Sequence, residues 1–258
     1  LTAVPGNAGA GLLAPIAPER ESLSATLQWA YNEEFRLIVP AESRLLMQGL
    51  TDEAHDMRIA VWGGPKRSAW LERSRLWLKE FLLRHNLPCA TGRVFTEKSL
   101  AERYLAAQAL PVTLWSDIPS EFDGAYADRE SALNALGEIF ALPLVEHEGA
   151  VRGVVIEAPL LGPSVGFSCF CDGTWLLPLL PVRSYERLED GDSGWAAQGM
   201  GGHTSDGGNL ERLGDYIYQQ IMQPLWTAIQ QEQLPWWGVL GVDCVITATG
   251  PKIAAIRT

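Results

Sequence analysis

The sequence has 258 residues and carries 20 Lys and Arg against 31 Asp and Glu, a formal net charge of −11. Hydrophobic residues make up 47% and charged residues 20%, which excludes intrinsic disorder as the main state. No apolar run reaches the roughly 18 residues of a membrane-spanning helix, and the acidic balance lacks the basic footprint of a nucleic-acid binder. The composition predicts a soluble globular protein with neither nucleic-acid nor membrane partners.

The cysteines indicate a reduced compartment. Cys89, Cys169, Cys171 and Cys244 are too few and too scattered for a disulfide scaffold. Cys169 and Cys171 alternate along a strand-like run, so they should lie on one face as buried thiols. The histidines have no metal-ligand spacing, and the N-terminus has no secretion-signal pattern. We therefore expect a cytoplasmic protein without a metal site.

Along the first 64 residues, short apolar strands alternate with helical segments, a pattern typical of a parallel α/β unit. Ser22 and Ser43 are candidate helix N-caps. The predicted strands are 1–4, 35–39 and 59–62, and the predicted helices are 22–33 and 43–50.

The remaining chain divides into two predicted parts. Residues 65–150 form a small α+β subdomain, and residues 151–258 form a β-meander, a glycine-rich excursion at 184–209, a helix interrupted near Pro224, and a final strand pair. The predicted helices are 67–85, 97–109, 129–140 and 210–231, and the predicted strands are 93–95, 111–115, 153–157, 166–171, 174–179, 238–247 and 252–256.

Taken singly, the motifs identify no chemistry. The glycines at 6, 9 and 11 follow an apolar strand and could offer backbone amides to an anion, but they lack nucleotide-fingerprint spacing. The acidic run at 190–194 resembles a calcium loop without its bidentate Glu. No nucleophile elbow is present. Composition and spacing alone reach only a soluble α/β and α+β protein.

The order of several segments is more specific than any one of them. In chain order they are PGNAG at 5–9, VPAE at 39–42, GGPK at 63–66, LERSR at 71–75, VIE at 155–157, DGTWLLP at 172–178, DGDSG at 190–194, QGMG at 198–201 and GPK at 250–252. Through nearly its whole length the chain resembles glycinamide ribonucleotide synthetase, the phosphoribosylamine–glycine ligase family of the ATP-grasp superfamily.

This resemblance implies a fold of two domains. A partial Rossmann-like, pre-ATP-grasp domain over residues 1–64 would lack its first strand and loop, and an ATP-grasp-like domain would cover residues 65–258. The family's activity would be an ATP-dependent carboxylate–amine ligation in purine biosynthesis. Such chemistry needs cations against the triphosphate and magnesium held by oxygen ligands.

The departures from the family pattern fall on the residues expected to bind the triphosphate and magnesium. Arg75 replaces the helix lysine of GSK, and Trp115 replaces the strand lysine of VVKADG, although Asp117 follows as in the family. Ala255 and Arg257 stand where the family has the metal-binding Glu and Asn of VIEFN. A neutral indole cannot neutralise phosphate, and a guanidinium repels magnesium.

Two loops also depart from the family pattern. The family's basic, glycine-rich AAGKG flap corresponds to residues 120–124, which include Glu121 and Asp123. Two carboxylates facing a triphosphate would oppose its binding. In the acceptor loop, the Asn of PNTGG corresponds to Ala196.

Three hypotheses follow. The first is a pseudoenzyme that retains the scaffold for binding or assembly, with a protein partner or a homo-oligomer, and with no cofactor. The second is an active, divergent ligase that uses ATP and magnesium through Arg75, Asp117 and Glu157. The third is a sensor for a small phosphoribosyl compound or an amino acid. The acceptor-side candidates are Asn7, Gly9, Glu42, Asp192, Gly199, Met200 and Gly201.

Overall fold

The computed structural model describes residues 1–118, 120–143, 151–185, 187–191, 193–197, 200–204 and 207–258. These residues form two compact units, Leu1–Arg67 and Ser68–Thr258. The α-helices are α1 Leu23–Asn32, α2 Ser43–Met47, α3 Leu50–Asp56, α4 Lys66–Arg73, α5 Arg75–Arg84, α6 Lys98–Ala107, α7 Arg129–Ala141, α8 Asn209–Ile217 and α9 Gln223–Gln231. Within these ranges, no helix is long and apolar enough to cross a membrane.

The strands belong to four sheets. They are β1 Leu37–Ile38, β2 Ala60–Val61, β3 Gly92–Phe95, β4 Val112–Trp115, β5 Gly124–Tyr126, β6 Val154–Glu157, β7 Ser164–Cys171, β8 Leu176–Pro178, β9 Val182–Ser184, β10 Arg187–Glu189, β11 Ser193–Ala196, β12 Gly202–His203, β13 Gly238–Thr247 and β14 Gly250–Arg257. The fold is mixed α/β.

The first unit is a small parallel arrangement. β1 pairs with β2 in parallel, as the alternation of strands and helices predicts. The predicted strand at residues 1–4 is wrong, because only a single bridge joins Ala3 to Ile16. Ser22 caps α1 by accepting from the Ala25 amide, which confirms that N-cap. The cap of α2 is Glu42, so the Ser43 prediction is wrong by one residue.

A break at Ser74 divides the helix predicted at 67–85 into α4 and α5. Ser74 has extended backbone and its hydroxyl accepts from the Trp77 amide, so it is the N-cap of α5. Serine is a good cap because its side chain satisfies an amide that has no partner inside the helix. The start of α5 is hydrogen-bonded to Asp117, two residues beyond the end of β4.

Two large sheets form most of the second unit, and β10 and β11 pair as a third, two-stranded antiparallel sheet. In the first, the strand order is β3-β6-β4-β5, and α6 and α7 pack on it. In the second, the order is β12-β9-β7-β13-β14, with β8 also paired to β7. The predicted meander is wrong at its first strand, because β6 pairs with β3 and β4 and not with β7. β5 begins at Gly124, the last residue of the segment that corresponds to the family's flap.

The larger core lies between the second sheet and helices α5, α8 and α9. Along β7 the residues alternate between buried and accessible, and Cys169 and Cys171 are both buried, as predicted. A π-helical turn over Tyr218–Met222 separates α8 from α9 and confirms the interruption near Pro224. Proline lacks an amide hydrogen, so the regular hydrogen-bond ladder cannot continue through it.

Trp236, the first residue of the tryptophan pair at 236–237, belongs to the larger core. This side chain is buried in the larger core, and its indole donates to the Val239 carbonyl at 2.9 Å. Trp237 is half-buried. Burial of one aromatic side chain contributes to stability, so Trp236 gives no support to a partner surface at this pair.

A hydrogen-bonded cluster of three residues joins the C-terminal ends of α5 and α9. One carboxylate oxygen of Glu232 accepts from Arg84 at 2.7 Å and from His85 at 2.8 Å. Burial opposes ionisation of Glu232, but the hydrogen bonds from His85 and Arg84 outweigh it and lower the pKa of this carboxyl below its ordinary value of 4.5. The ionised carboxylate is therefore stabilised more in the folded than in the unfolded chain.

This pKa shift predicts a contribution to acid stability. Because the folded-state pKa is the lower one, the contribution is complete above pH 4.5 and is lost as the pH falls through the lowered value. We expect Glu232→Gln to flatten the acid limb of a plot of unfolding free energy against pH, measured by urea denaturation. Glu102→Gln, which removes a surface carboxylate 3.8 Å from Lys98, is the control. An unchanged slope in Glu232→Gln would contradict the prediction.

Candidate functional site

Four elements of the second unit converge on one small polar site. The first turns of α5 contribute Arg75 and Lys79, which lie on one helix face because they are four residues apart. β4 ends with Trp115, and the neighbouring β6 ends with Glu157. β14 contributes the backbone carbonyl of Ala254. The site therefore joins the two sheets through α5.

Glu157 is the centre of this site. One of its oxygens lies 2.7 Å from the Lys79 ammonium, and the other accepts from the indole nitrogen of Trp115 at 3.1 Å. The side chains of Lys79 and Glu157 are only 4% and 16% exposed. Lys79 also donates to the Ala90 carbonyl. Each buried charge thus has hydrogen-bonded partners, and a buried ion pair is stable only when such partners are present.

The backbone opposite Glu157 leaves room for it. Gly92 of β3 pairs with Glu157, and a Cβ atom at residue 92 would lie 2.3 Å from the Glu157 Cβ atom. Real Cβ atoms do not approach so closely, so any larger residue at this position would displace β6. Glycine at 92 is therefore part of what holds Glu157 in place.

Arg75 closes the site on the side of β14. Its guanidinium lies 5.0 Å from the centre of the Trp115 ring and donates to the Ala254 carbonyl at 3.0 Å. Burial and the charge of Arg257 lower the pKa of Arg75 from its ordinary value, while Glu157 and Asp123 oppose this effect. A guanidinium remains protonated despite such a shift, so Arg75 contributes a cation stacked on an indole.

Asp117 is hydrogen-bonded to the N-terminus of helix α5, next to its N-cap Ser74. Its two oxygens accept from the Ser74 hydroxyl at 2.7 Å and the Leu76 amide at 3.1 Å, and its side chain is buried. Arg73 donates to its backbone carbonyl at 2.9 Å. A carboxylate at a helix N-terminus satisfies free amides and complements the helix dipole. Each carboxylate oxygen of Asp117 thus has a donor at the start of α5.

Beyond Asp117, the chain turns back towards Trp115. Asp123 accepts from the Ser116 amide at 3.0 Å and is half-buried. Burial raises the pKa of Asp123, although the hydrogen bonds from Ser116 oppose the shift. Glu121 is exposed. This segment therefore places carboxylates, and no cation, next to β4.

The two residues that the resemblance matches to metal ligands, Ala255 and Arg257, lie on β14. Ala255 pairs with Asp243 and has no side-chain oxygen. The guanidinium of Arg257 binds Asp243 at 2.7 Å and lies 3.9 Å from Glu72. The nearest carboxylates are thus already paired with an arginine. Within the described ranges, no group of three or more His, Cys, Asp or Glu residues is arranged to hold a metal ion.

The acceptor-side candidates belong to both units. In the first unit, Asn7 accepts from the Ala10 amide at 2.9 Å, Gly9 is exposed, and Glu42 forms an exposed pair with Arg44. In the second unit, the Gly201 carbonyl accepts from the Tyr185 amide at 3.0 Å. Met200 is exposed, and Asp192 and Gly199 lie outside the described residues.

Sequence reasoning assigned no role to Lys79, which the structure places at the centre of the site. The signal was a lysine within the apolar run Leu76–Leu83, since lysine is almost never fully buried unless it is paired. Its partner Glu157 is far away in the sequence, and one sequence does not identify such a pair.

Little space remains among these side chains. Arg75, Lys79, Cys89, Trp115 and Glu157 line a cavity of about 30 Å³. That is the volume of roughly one water molecule, whereas pockets for small organic ligands enclose about 300–1,000 Å³. Among these side chains there is therefore space for about one water molecule.

The phosphoribosylglycinamide synthetase ATP-grasp (A) domain family matches residues 73–257, which is more than half of the chain and includes every residue of this site. The chain belongs to this family. The second unit is accordingly an ATP-grasp domain, in which α5, β4, β6 and β14 meet at the site described above.

Relatives of the family are similar over nearly the whole chain. A phosphoribosylamine–glycine ligase of Synechocystis is 29% identical over 96% of the chain, and a trifunctional purine biosynthetic protein, adenosine-3, of Gallus gallus is also 29% identical over 96%. The chain spans 58% and 25% of the lengths of these proteins. It thus corresponds to less than two thirds of each relative.

Solved structures show the same fold. A phosphoribosylamine–glycine ligase of Thermotoga maritima superposes with a TM-score of 0.76 at 22% identity, covering the whole chain and 62% of that protein. A D-alanine–D-alanine ligase of Bacillus anthracis complexed with ATP gives a TM-score of 0.63 at 12% identity, over 96% of the chain and 76% of that protein. At these identities the likeness concerns the ATP-grasp fold alone.

Proposed function

We propose that the chain is a cytoplasmic ATP-grasp protein related to the phosphoribosylamine–glycine ligases in which ligation has been lost, and that it acts in binding or assembly. Its relatives' names place the family in purine biosynthesis. The proposal concerns what this particular chain does with the shared fold, and it expects neither ATP nor magnesium as a cofactor.

One observation carries the proposal: Trp115 fills the site and binds Glu157. A lysine at this strand position would offer a cation to phosphate, but an indole offers none, and here its single N–H is engaged at 3.1 Å. Lys79 is a nearby cation, yet it is already neutralised by Glu157 at 2.7 Å. A triphosphate entering here would therefore have to break a buried ion pair to gain a counter-charge.

The residues at the expected magnesium site also support the proposed loss of ligation. Magnesium prefers carboxylate and other hard oxygen ligands in octahedral geometry. Ala255 supplies no oxygen, and the Arg257 guanidinium occupies Asp243. These residues do not fit a magnesium ion bridging phosphates, so we derive no ligation step through ATP or a metal.

Nucleotide binding provides the test. We expect ATP and ADP, each with and without magnesium, to leave the midpoint of thermal unfolding unchanged. A binder at 100 times its dissociation constant would gain about 2.7 kcal/mol, which calorimetry or dye-based melting readily detects. The D-alanine–D-alanine ligase of Bacillus anthracis, which has been crystallised with ATP, is a suitable positive control.

Other results of this binding test would favour the divergent ligase or the sensor. An ATP-dependent shift together with turnover of glycine and phosphoribosylamine would overturn the proposal in favour of a divergent ligase that uses Arg75, Asp117 and Glu157. A shift with a phosphoribosyl compound or an amino acid, but not with ATP, would instead indicate a sensor. Substitution of Asn7 or Glu42 by Ala should then abolish that shift.

A further inference from the structure

A hollow in the first unit is lined by charged and aromatic side chains that the proposed function does not use. It has a volume of about 300 Å³, and its lining residues are Gln28, Tyr31, Asp56, Met57 and Arg58. We call it the α1–α3 hollow, because the first two residues lie on α1 and the others lie at the end of α3. Its volume reaches the lower end of the range for pockets that bind small organic molecules, about 300–1,000 Å³.

The α1–α3 hollow lies at the start of the two strands of this unit. Arg58 comes just before β2, and Tyr31 lies near the end of the helix that precedes β1. The family segments at 39–42 and 63–66 follow β1 and β2 instead. Because β1 and β2 are parallel, their starts share one edge and their ends share the other. The hollow is therefore a different site from the acceptor side that includes Glu42.

Two helix ends fix the backbone around the hollow. The Ile59 amide donates to the Ala54 carbonyl at 3.0 Å, and the Phe35 amide donates to the Ala30 carbonyl at 2.9 Å. Each is the long hydrogen bond of a Schellman motif, which ends a helix with one left-handed residue. At the end of α3 that residue is Arg58, with φ of 59°. Ala30 and Ala54 are both buried, so the exposed side chains of the hollow project from a packed backbone.

Opposite charges face the hollow without neutralising each other. The side chains of Asp56 and Arg58 are both exposed. In the part of the chain that the structure describes, neither side chain forms an ion pair or a hydrogen bond. A ligand with one positive and one negative group gives each of them a charged partner. A phosphorylated ligand would instead bring its negative charge close to Asp56.

The hollow also has an apolar part. The Tyr31 side chain is 57% exposed, and Met57 beside it in the lining is half-buried. A tyrosine ring and a methionine thioether both make favourable contacts with apolar and aromatic groups. The lining thus combines a site for a dipolar head with a surface for an apolar side chain.

We infer that the α1–α3 hollow binds a free α-amino acid with an apolar side chain. Its carboxylate pairs with Arg58, its ammonium group pairs with Asp56, and its side chain lies against the apolar part of the lining. The end of a peptide carries only one of these two charges and satisfies half of the site. The inference does not rest on the loss of ligation, because no residue of the polar site lines the hollow.

Isothermal titration calorimetry of the full chain with L-phenylalanine and L-leucine tests this site. We expect saturable binding, weakened about tenfold or more by Arg58→Gln and by Asp56→Asn, because each removes a charge-assisted hydrogen bond. Arg67→Gln removes an exposed arginine of the same unit that does not line the hollow, and it should leave the affinity unchanged. Phenylalaninamide and N-acetylphenylalanine, which each lack one of the two charges, should bind more weakly. Circular dichroism melting would verify that the variants are folded.

The inference is overturned if neither amino acid binds at millimolar concentration, if phenylalaninamide binds as tightly as phenylalanine, or if Arg58→Gln and Arg67→Gln have equal effects. Asn7→Ala and Glu42→Ala should leave the binding intact. Loss of binding in those two variants, but not in Arg58→Gln, would assign the amino acid to the acceptor side instead. The two proposals fail separately: stabilisation by ATP removes only the loss of ligation, and absence of amino-acid binding removes only the site in the hollow.

Discussion

Glu157→Ala lowers the free energy of unfolding by about 3–5 kcal/mol, the cost of leaving a buried charge without its partner. Lys79 is 4% exposed, and its remaining contacts are the Ala90 carbonyl and the Cys89 sulfur. The substitution also removes the acceptor of the Trp115 indole. Urea denaturation of the purified variant measures the effect.

Two further variants separate charge from packing. Glu157→Gln keeps an acceptor for Trp115 but not the charge, so it should lose a large part of the same stability. The double variant Lys79→Met with Glu157→Leu removes both charges and is expected to lie much closer to wild type, because well-packed apolar pairs often replace buried ion pairs. If Glu157→Ala cost less than about 1 kcal/mol, the ion pair would not be the structural centre inferred here.

Asp117→Ala removes about 2–4 kcal/mol, because it leaves the buried Ser74 hydroxyl and the Leu76 amide without acceptors. The loss acts at the first turn of α5, which carries Arg75 and Lys79 into the site. We therefore expect lower stability in equilibrium unfolding and faster hydrogen exchange in the first turn of α5.

The matched control is Asp128→Ala, which removes the N-cap of α7 at an exposed position where the carboxylate accepts from the Ser131 amide at 2.8 Å. An ordinary N-cap contributes about 1 kcal/mol. Equal effects of the two substitutions would show that burial of Asp117 adds nothing. Asp117→Asn, which retains one acceptor oxygen, should fall between Asp117→Ala and wild type.

Local patterns predicted most elements of the second unit. β13 lies where the apolar run predicts it, and α6 and α7 differ from their predicted ends by no more than two residues. The predictions failed where distant residues decide the outcome. Ser74 divides one predicted helix because its hydroxyl meets Asp117, 43 residues away in the sequence.

Contacts within the candidate site were also beyond prediction, because they join residues far apart in the sequence. The replaced residue Trp115 was visible from the family motif, as was Arg257, but their partners were not. Glu157 reaches Lys79 across 78 positions, and Arg75 reaches Ala254 across 179. A single sequence shows the chemical type of each side chain. Contacts between residues so far apart in the sequence depend on how two sheets and a helix pack together.

The contact between Trp115 and Glu157 also bears on how this chain could change in evolution. Trp115→Lys alone would place a third cation beside Arg75 and Lys79, while the Glu157 carboxylate is already bound to Lys79. It would also remove the indole ring next to the Arg75 guanidinium. Under the proposed loss of ligation, a return to a phosphate-binding strand would therefore begin with a less stable chain. Substitutions at several positions would have to occur together, so the proposed loss would be difficult to reverse through residue 115 alone.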